Sequence, residues 1–503
     1  MKKGTTRSHA CVGLVVLIVV LVALGLPSIR TVEANTGCPE DTSNFGNQTF
    51  SGTCTITNDT TWENGTLTIA GDIVVNAPLT LRDMVIIFNP SFEGEFELIV
   101  YDALDIQGGG IQSTNSNQWR VEVISSSSIS IVGGTFSRGT WNLHGGPAFI
   151  EGNLFENSNA RMAVGGQHMR VGPNSTVRFN VLNNIELDVG AAIVLNWHWG
   201  NSIVWGNELH LKCYGSNCMG IETNNMHEDL TSLYPGFPVV EVAWNNITWE
   251  EIASGTNSAS LDHEYSMRLY VHNNTQYVNP AGLASGESVT SPLQMGGPLD
   301  SVFENNVIYG PSSYGIYNYI YSDASNLVQY NKFFDVRHGG IFQTGGNTYR
   351  HNEFVNVSAT GIWICPNAPC AGASNTVHNN VWYGNSFSYL PGATIARASP
   401  SNMFDNTLIH HGNGQVNQWW DGANYRTVLG DGSWLYWANA DIDSLRFMNE
   451  TDGSRRVVMT VGGQAYDSTF VGFGATDNAE LTIAGTIDRE GSANVGGVGD
   501  GTF

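Results

Sequence analysis

One six-residue alternation of apolar and polar positions governs the chain between Ile150 and Leu408. It reads apolar-x-x-Asn-x-apolar in most copies: IEGNLF, VRFNVL, VWGNEL, VAWNNI, YVHNNT, VFENNV, VQYNKF, YRHNEF, VHNNVW and MFDNTL. In this frame the central asparagines are Asn153, Asn180, Asn207, Asn245, Asn273, Asn305, Asn331, Asn352, Asn380 and Asn406. One polar residue fixed at a period of roughly 20–40 residues predicts a solenoid, one coil per repeat.

The alternation assigns roles within the phrase. Its apolar positions alternate as in a strand and fill the bore. An inward Asn at the bend between two short strands bonds the backbone and its counterparts in adjacent coils, satisfying the turn's polar groups. A Gly-apolar pair follows about one strand later at Gly220-Ile221, Gly315-Ile316, Gly340-Ile341 and Gly361-Ile362, permitting a tight turn. Upstream, short β-rich runs punctuated by Gly, Pro and Asn (67–69, 73–75, 85–88, 96–100, 121–124, 129–132) predict earlier coils. Two coils carry long inserts, 222–238 and 278–298, which stacking in register would place side by side.

The phrase followed by Gly-Ile resembles the right-handed parallel β-helix repeat of pectate-lyase-like and related surface proteins, over residues 63–414. The resemblance implies an all-β, single-stranded right-handed solenoid. It does not assign an activity, because that group holds lyases, hydrolases, epimerases, adhesins and proteins without known chemistry.

The ends complete the organisation. Lys2, Lys3 and Arg7 precede an apolar run from Ala10 to Leu26, and Val32-Glu33-Ala34 reads as a small-residue cleavage site. Residues 1–34 are therefore a signal peptide or an N-terminal anchor; either places the rest outside the cytoplasm, secreted or at the cell surface. Residues 35–62 read as a cap over the first coil. Residues 415–503 keep β-like runs and a cluster of Trp419, Trp420, Trp434 and Trp437, as a further module or further coils.

Cysteine usage agrees with export. Beyond Cys11 of the leader, six cysteines fall into near pairs, Cys38–Cys54, Cys213–Cys218 and Cys365–Cys370, the simplest disulfide set. Sequons at Asn47, Asn58, Asn64, Asn174, Asn246, Asn273, Asn356 and Asn449 permit glycosylation, though an inward Asn273 would carry none. The net charge is −24, and losing the leader makes it more negative. Nucleic acid is thus a poor partner, and a membrane is reached only through an uncleaved N-terminus.

Candidate chemistry is sparse. General nucleophile, metalloprotease, nucleotide and EF-hand motifs are absent, as are the adjacent aspartates and Gly-His-Gly of a polygalacturonase-like β-helix. No cofactor or metal is implied. Asp262-His263-Glu264 and His227-Glu228-Asp229 lack ligand spacing and read as solvated turns. One basic window departs from the acidic background. There Gln329, Arg350 and His378 share one position of successive repeats, and Lys332 and Glu353 another. Cleaving a uronate glycan by β-elimination requires a cation against the carboxylate, a base and an acid. Arg350 or Arg337 would neutralise, and Lys332, His351 or His378 would take the proton, with His338 at the next corner. The competing reading is a solvated polar face. Trp197, Trp199 and Trp205, with Gln329, would form a platform for sugar rings, as would alternating Tyr314, Tyr317, Tyr319 and Tyr321; aromatics filling the bore are the alternative. Two functions follow: a non-catalytic, polysaccharide-binding surface or adhesion protein, or a polysaccharide lyase or epimerase acting on uronate-containing glycans.

Overall fold

The computed structural model describes Cys38 and residues 43–357 apart from short stretches (126–127, 161–166, 197–200, 225–239, 253–256, 265, 267, 279–290, 320–324 and 343–345), and, further on, strand segments between 362 and 475. From Gly46 to His410 the described strands stack in parallel, coil upon coil. The right-handed parallel β-helix expected from the repeat is the fold.

Each coil contributes to three faces. Face I holds the strand before the ladder asparagine, such as Leu269–His272, Val302–Glu304, Leu327–Gln329 and Thr348–Arg350. Face II holds the strand after it, such as Thr275–Val278 and Glu353–Val357. Face III holds strands such as Met169–Val171, Asn257–Glu264 and Leu293–Gly296. Long strands such as Val181–Asn196 and Glu208–Asn224 belong to II and III in turn, with register irregularities where they bend.

The apolar positions of the phrase point inward as their alternation requires. Val242, Val271, Phe303, Val328 and Tyr349 before the asparagine, and Ile247, Ile308, Phe333 and Phe354 after it, are all buried. Rings stack from coil to coil, Phe333 on Phe354 at 4.9 Å and Phe136 on Phe155 at 5.2 Å. Each fully buried large side chain contributes about 1.5–3 kcal/mol. Gln276 is the exception. It occupies the same inward position, buried, with neither amide atom hydrogen-bonded.

The asparagine column is continuous, with two substitutions of register. The Oδ1 of each ladder asparagine accepts the backbone N–H and the Nδ2–H of its counterpart one coil earlier, at 2.9–3.1 Å, from Asn153 through Asn180, Asn207, Asn245, Asn274, Asn306, Asn331 and Asn352 to Asn380. Asn274 and Asn306 therefore replace the expected Asn273 and Asn305. The reason lies in the corner. The residue before each ladder asparagine from Asn153 to Asn352 is left-handed: Gly152, Phe179, Gly206, Trp244, Asn273, Asn305, Tyr330 and His351 all have φ between 53° and 67°. Asn is favoured there as well, so an Asn-Asn doublet fits the phrase in two frames. The frame of Val271 and Phe303, both buried, is the one that folds. Asn273 is thus a half-buried corner residue that donates to His272 Nδ1 at 2.8 Å, not an inward amide. Asn406 lies outside the described residues.

A second polar column, unread in the sequence, lines the corner where face I begins. Ser301 N–H donates to Asn326 Oδ1, and Asn326 to Asn347 Oδ1 through backbone and side chain, at 2.9–3.2 Å. Asn347 N–H continues to Asn375 Oδ1. These asparagines stand five residues before Asn331, Asn352 and Asn380, an N-x4-N spacing that marks them.

At the N-terminal end, parallel stacking already starts at Gly46–Ser51, which pairs with Thr60–Ala70, inside the stretch read as a cap. Cys38–Cys54 is formed, tying the chain to this end, and Cys213–Cys218 closes the bend of Glu208–Asn224. Cys365 and Cys370 lie outside the described residues, as do residues 1–34. Beyond 414, Arg446–Asn449 still pairs in parallel with Thr407–His410, whereas Val416–Trp420, Tyr425–Leu429 and Trp434–Trp437 form a separate antiparallel sheet.

Candidate functional site

Face I carries a connected polar strip across consecutive coils. The strand positions that alternate with the bore-facing ones place Glu241, Tyr270, His272, Glu304, Gln329 and Arg350 on one side of stacked strands, where neighbours leave His272 and Gln329 only 8% exposed. They bond in sequence. His272 Nε2 lies 3.0 Å from Glu241 Oε1, and its Nδ1 accepts from Asn273, which leaves the proton on Nε2 to donate to the carboxylate. The His272 ring stacks on Tyr270 at 3.9 Å. Tyr270 donates to Glu304 Oε1 at 2.7 Å, and Gln329 Nε2 to Glu304 Oε2 at 2.6 Å. Arg350 Nε then donates to Gln329 Oε1 at 2.8 Å. The hydrogen bond to Glu304 pushes the Tyr270 phenol up to about 12, so it stays a donor. Arg350 pairs in register with His378.

This arrangement separates the expected catalytic residues. Lys332 stands on face II, beyond the corner, where it pairs with Glu353 at 3.2 Å on the surface; such a pair contributes little. Arg350 is on face I. The corner between them is filled by His351, left-handed and stacked on Tyr330 at 4.9 Å. Arg337 is exposed on the strand Lys332–Phe342, and His338 pairs in register with Tyr314. Among the described side chains of the basic window, Lys332 and Arg350 therefore stand on different faces. Of the expected platform, Trp205 is half-buried with its ring against Phe179 at 4.9 Å, and Gln329 belongs to the strip. Trp197 and Trp199 lie outside the described residues. Tyr314 and Tyr317 stack on one another at 5.3 Å.

Face III holds the groups the sequence reading missed. Asp262, His263 and Glu264 are not a solvated turn; they lie in the strand Asn257–Glu264, with Asp262 and His263 fully buried. His263 faces the bore, where its Nδ1 meets Thr223 Oγ1 at 2.9 Å; burial pushes it down to about 3. Asp262 falls on the outer side, in register with Glu222 on one coil and Gln294 on the next. Asn224 Nδ2 donates to Glu222 Oε1 at 3.0 Å and to Glu264 Oε2 at 3.4 Å, drawing both carboxylates to one amide. Neither Asp262 oxygen has a hydrogen bond of good geometry. Burial, then the charges of Glu264 and Glu222, raise Asp262 well above the ordinary carboxylate range; burial first raises Glu222 and Glu264 as well. Arg170, on the same face, partly offsets this at Glu222. Towards the N-terminal end the face continues as a shallow cleft lined by Arg120, Glu122, Asn142, Gln167 and Arg170. The signal for this cluster was register alone, since Glu222 and Asp262 are brought together only by stacking. His227, Glu228 and Asp229 lie outside the described residues. Among the described residues no group of three or more His, Cys, Asp or Glu side chains is arranged to hold a metal ion.

Comparison with known proteins agrees with the fold and goes no further. No curated protein matches the chain. Residues 245–428 match the family described as right handed beta helix region, and the same asparagine column runs on N-terminally to Asn153. With its parallel coils and its buried amide ladder, the described chain has the fold of a right-handed parallel β-helix.

Proposed function

We propose that this protein is an exported, non-catalytic glycan-binding rod that holds polysaccharide along face I. The observation that carries the reading is the strip from Glu241 to Arg350, in which outward side chains of successive coils are tied to one another. Isolated surface groups are solvated independently and lose side-chain entropy when a ligand fixes them. Here that ordering is already made. Carboxylate, amide, phenol and guanidinium groups stand one coil apart, a spacing of about 4.8 Å suited to the hydroxyls of an extended sugar polymer. The two disulfides are compatible with an oxidising compartment.

The test is affinity electrophoresis of the chain from Asn35 against pectate, alginate and neutral glycans, each digest also followed for unsaturated uronate. The reading expects retention by at least one polymer, weakened by Glu304→Gln and Arg350→Ala, with no product. Retention by none would refute it.

The second reading, a polysaccharide lyase or epimerase acting on uronate glycans, draws support from face III. There burial and the neighbouring carboxylates raise Asp262 above the ordinary carboxylate range beside Glu222 and Glu264, and Arg170 supplies a cation. Acid, base and carboxylate-neutralising cation are what β-elimination needs. Unsaturated product that disappears in Asp262→Asn would favour this reading over the first.

A further inference from the structure

The left-handed corner column bears residues that its backbone does not favour. Along it stand Asn64, Asp83, Gly108, Gly133, Gly152, Gly206, Asn273 and Asn305, all types that tolerate positive φ. Phe179, Trp244 and Tyr330 break the rule, at φ 56°, 58° and 57°. A bulky aromatic in this conformation is strained, and strain persists where something else keeps it. Ring contacts hold two of them in part, Phe179 against Trp205 and Tyr330 on His351, each at 4.9 Å, yet Phe179, Trp244 and Tyr330 remain 47%, 55% and 47% exposed. Trp244 is the most exposed of them, and its neighbours in the column are Gly206 and Asn273.

We propose that Trp244, with Phe179 and Tyr330, forms a row of stacking platforms for the pyranose faces of an uncharged polysaccharide lying parallel to the solenoid axis. The proposal rests on the glycan-binding reading of face I, which borders this corner, and deepens it by naming the ligand class and its direction. The spacing fits a repeating polymer better than a protein partner. Two coils separate Phe179 from Trp244 and three separate Trp244 from Tyr330, about 10 and about 14 Å at the strand rise. Polar or small residues fill the coils between (Gly206, Asn273 and Asn305), so no continuous apolar patch exists for a second copy to bury. Hydrogen-bonding groups flank the rings on both sides: His272, Glu304 and Gln329 on face I, and Thr275 and Lys332 on face II. Sugar rings present an apolar face and a hydroxyl rim, which matches rings edged by polar groups. Charge selects among glycans. The chain carries −24, and the nearby cations Lys332 and Arg350 are already engaged with Glu353 and Gln329. A polyanion would therefore meet a repelling body.

The experiment compares wild type with Trp244→Asn, Trp244→Gly and Glu304→Gln. Thermal unfolding, sedimentation, and binding to cellohexaose, mannohexaose and polygalacturonate are measured for each. The proposal expects both Trp244 variants to melt about 1–3 °C higher, because the strain is relieved. It expects them to bind the neutral hexasaccharides about tenfold more weakly, the loss of one stacked ring. A lower melting temperature would assign the ring to packing and overturn the proposal. So would tighter binding of polygalacturonate than of the neutral probes, or self-association that vanishes in Trp244→Gly. If Glu304→Gln weakens binding while the Trp244 variants do not, this proposal falls and the face I reading stands. If no polymer binds wild type, both fall.

Discussion

Replacing Asn306 by Ala and, separately, Asn305 by Ala tests the architecture at single-residue resolution. Asn306 is fully buried and its side chain makes four hydrogen bonds: Oδ1 accepts from Asn274 N and Nδ2, and Nδ2 donates to Val271 O and Asn331 Oδ1, all at 2.9–3.1 Å. Its loss leaves two buried donors of Asn274 without acceptors and removes a donor from Val271 O. An orphaned buried donor costs about 1–3 kcal/mol, so the variant should lose roughly 2–6 kcal/mol. Asn305, adjacent in sequence, is exposed at the left-handed corner, and its N–H still donates to Gln329 O after substitution. Placing Ala there costs about 1 kcal/mol of backbone strain, and Gly nearly nothing. The assay is urea unfolding combined with amide hydrogen exchange in the flanking coils, because a solenoid need not unfold in one step. Equal losses for the two alanines, or a larger loss at Asn305, would refute the assignment of the ladder to Asn306.

Three further expectations follow from buried polar groups and the disulfide. Gln276→Leu puts an apolar side chain where neighbouring coils carry one and removes two unbonded amide atoms; it should raise stability by about 1–3 kcal/mol, and an unchanged urea midpoint would contradict the burial. Asp262→Asn should leave stability nearly unchanged near pH 3–4 and increase it progressively above. The folded pKa of Asp262 is raised from 3.8, so its contribution is present below that value and lost as pH rises. The buried His168 and His263, pushed down to about 3, act oppositely below 6.5 but cancel in the difference between variant and wild type, which melting scans from pH 3 to 8 measure. Cys213→Ser with Cys218→Ser opens a short loop of sequence separation 5 and should cost roughly 2 kcal/mol, read as a urea midpoint against wild type.

The solenoid was legible because its rule is one residue deep. An inward Asn every coil with apolar neighbours leaves a period that survives inserts of any length. Frame was harder. At His272-Asn273-Asn274 and Glu304-Asn305-Asn306 the corner and the ladder favour the same residue type, and only the burial of Val271 and Phe303 decides. The column of Asn326, Asn347 and Asn375 left a readable N-x4-N trace that the stronger phrase masked. The site was less legible still. Lys332 and Arg350 both read as outward, but the pattern does not say that a corner turns them onto different faces. Nor does a run such as Asp262-His263-Glu264 disclose burial, since its polar residues look like a turn until Glu222 and Gln294 are stacked against it.

Oxidative footprinting reads whether face I and its adjoining corner receive the polysaccharide. The chain is exposed to hydroxyl radicals with and without the best-retained glycan, and modification is read residue by residue. Glycan seated there protects Trp244, Tyr270 and Tyr330 and leaves the exposed Phe92 and Tyr101 unchanged. Protection confined to face III, at Tyr317 and around Arg170, would contradict it.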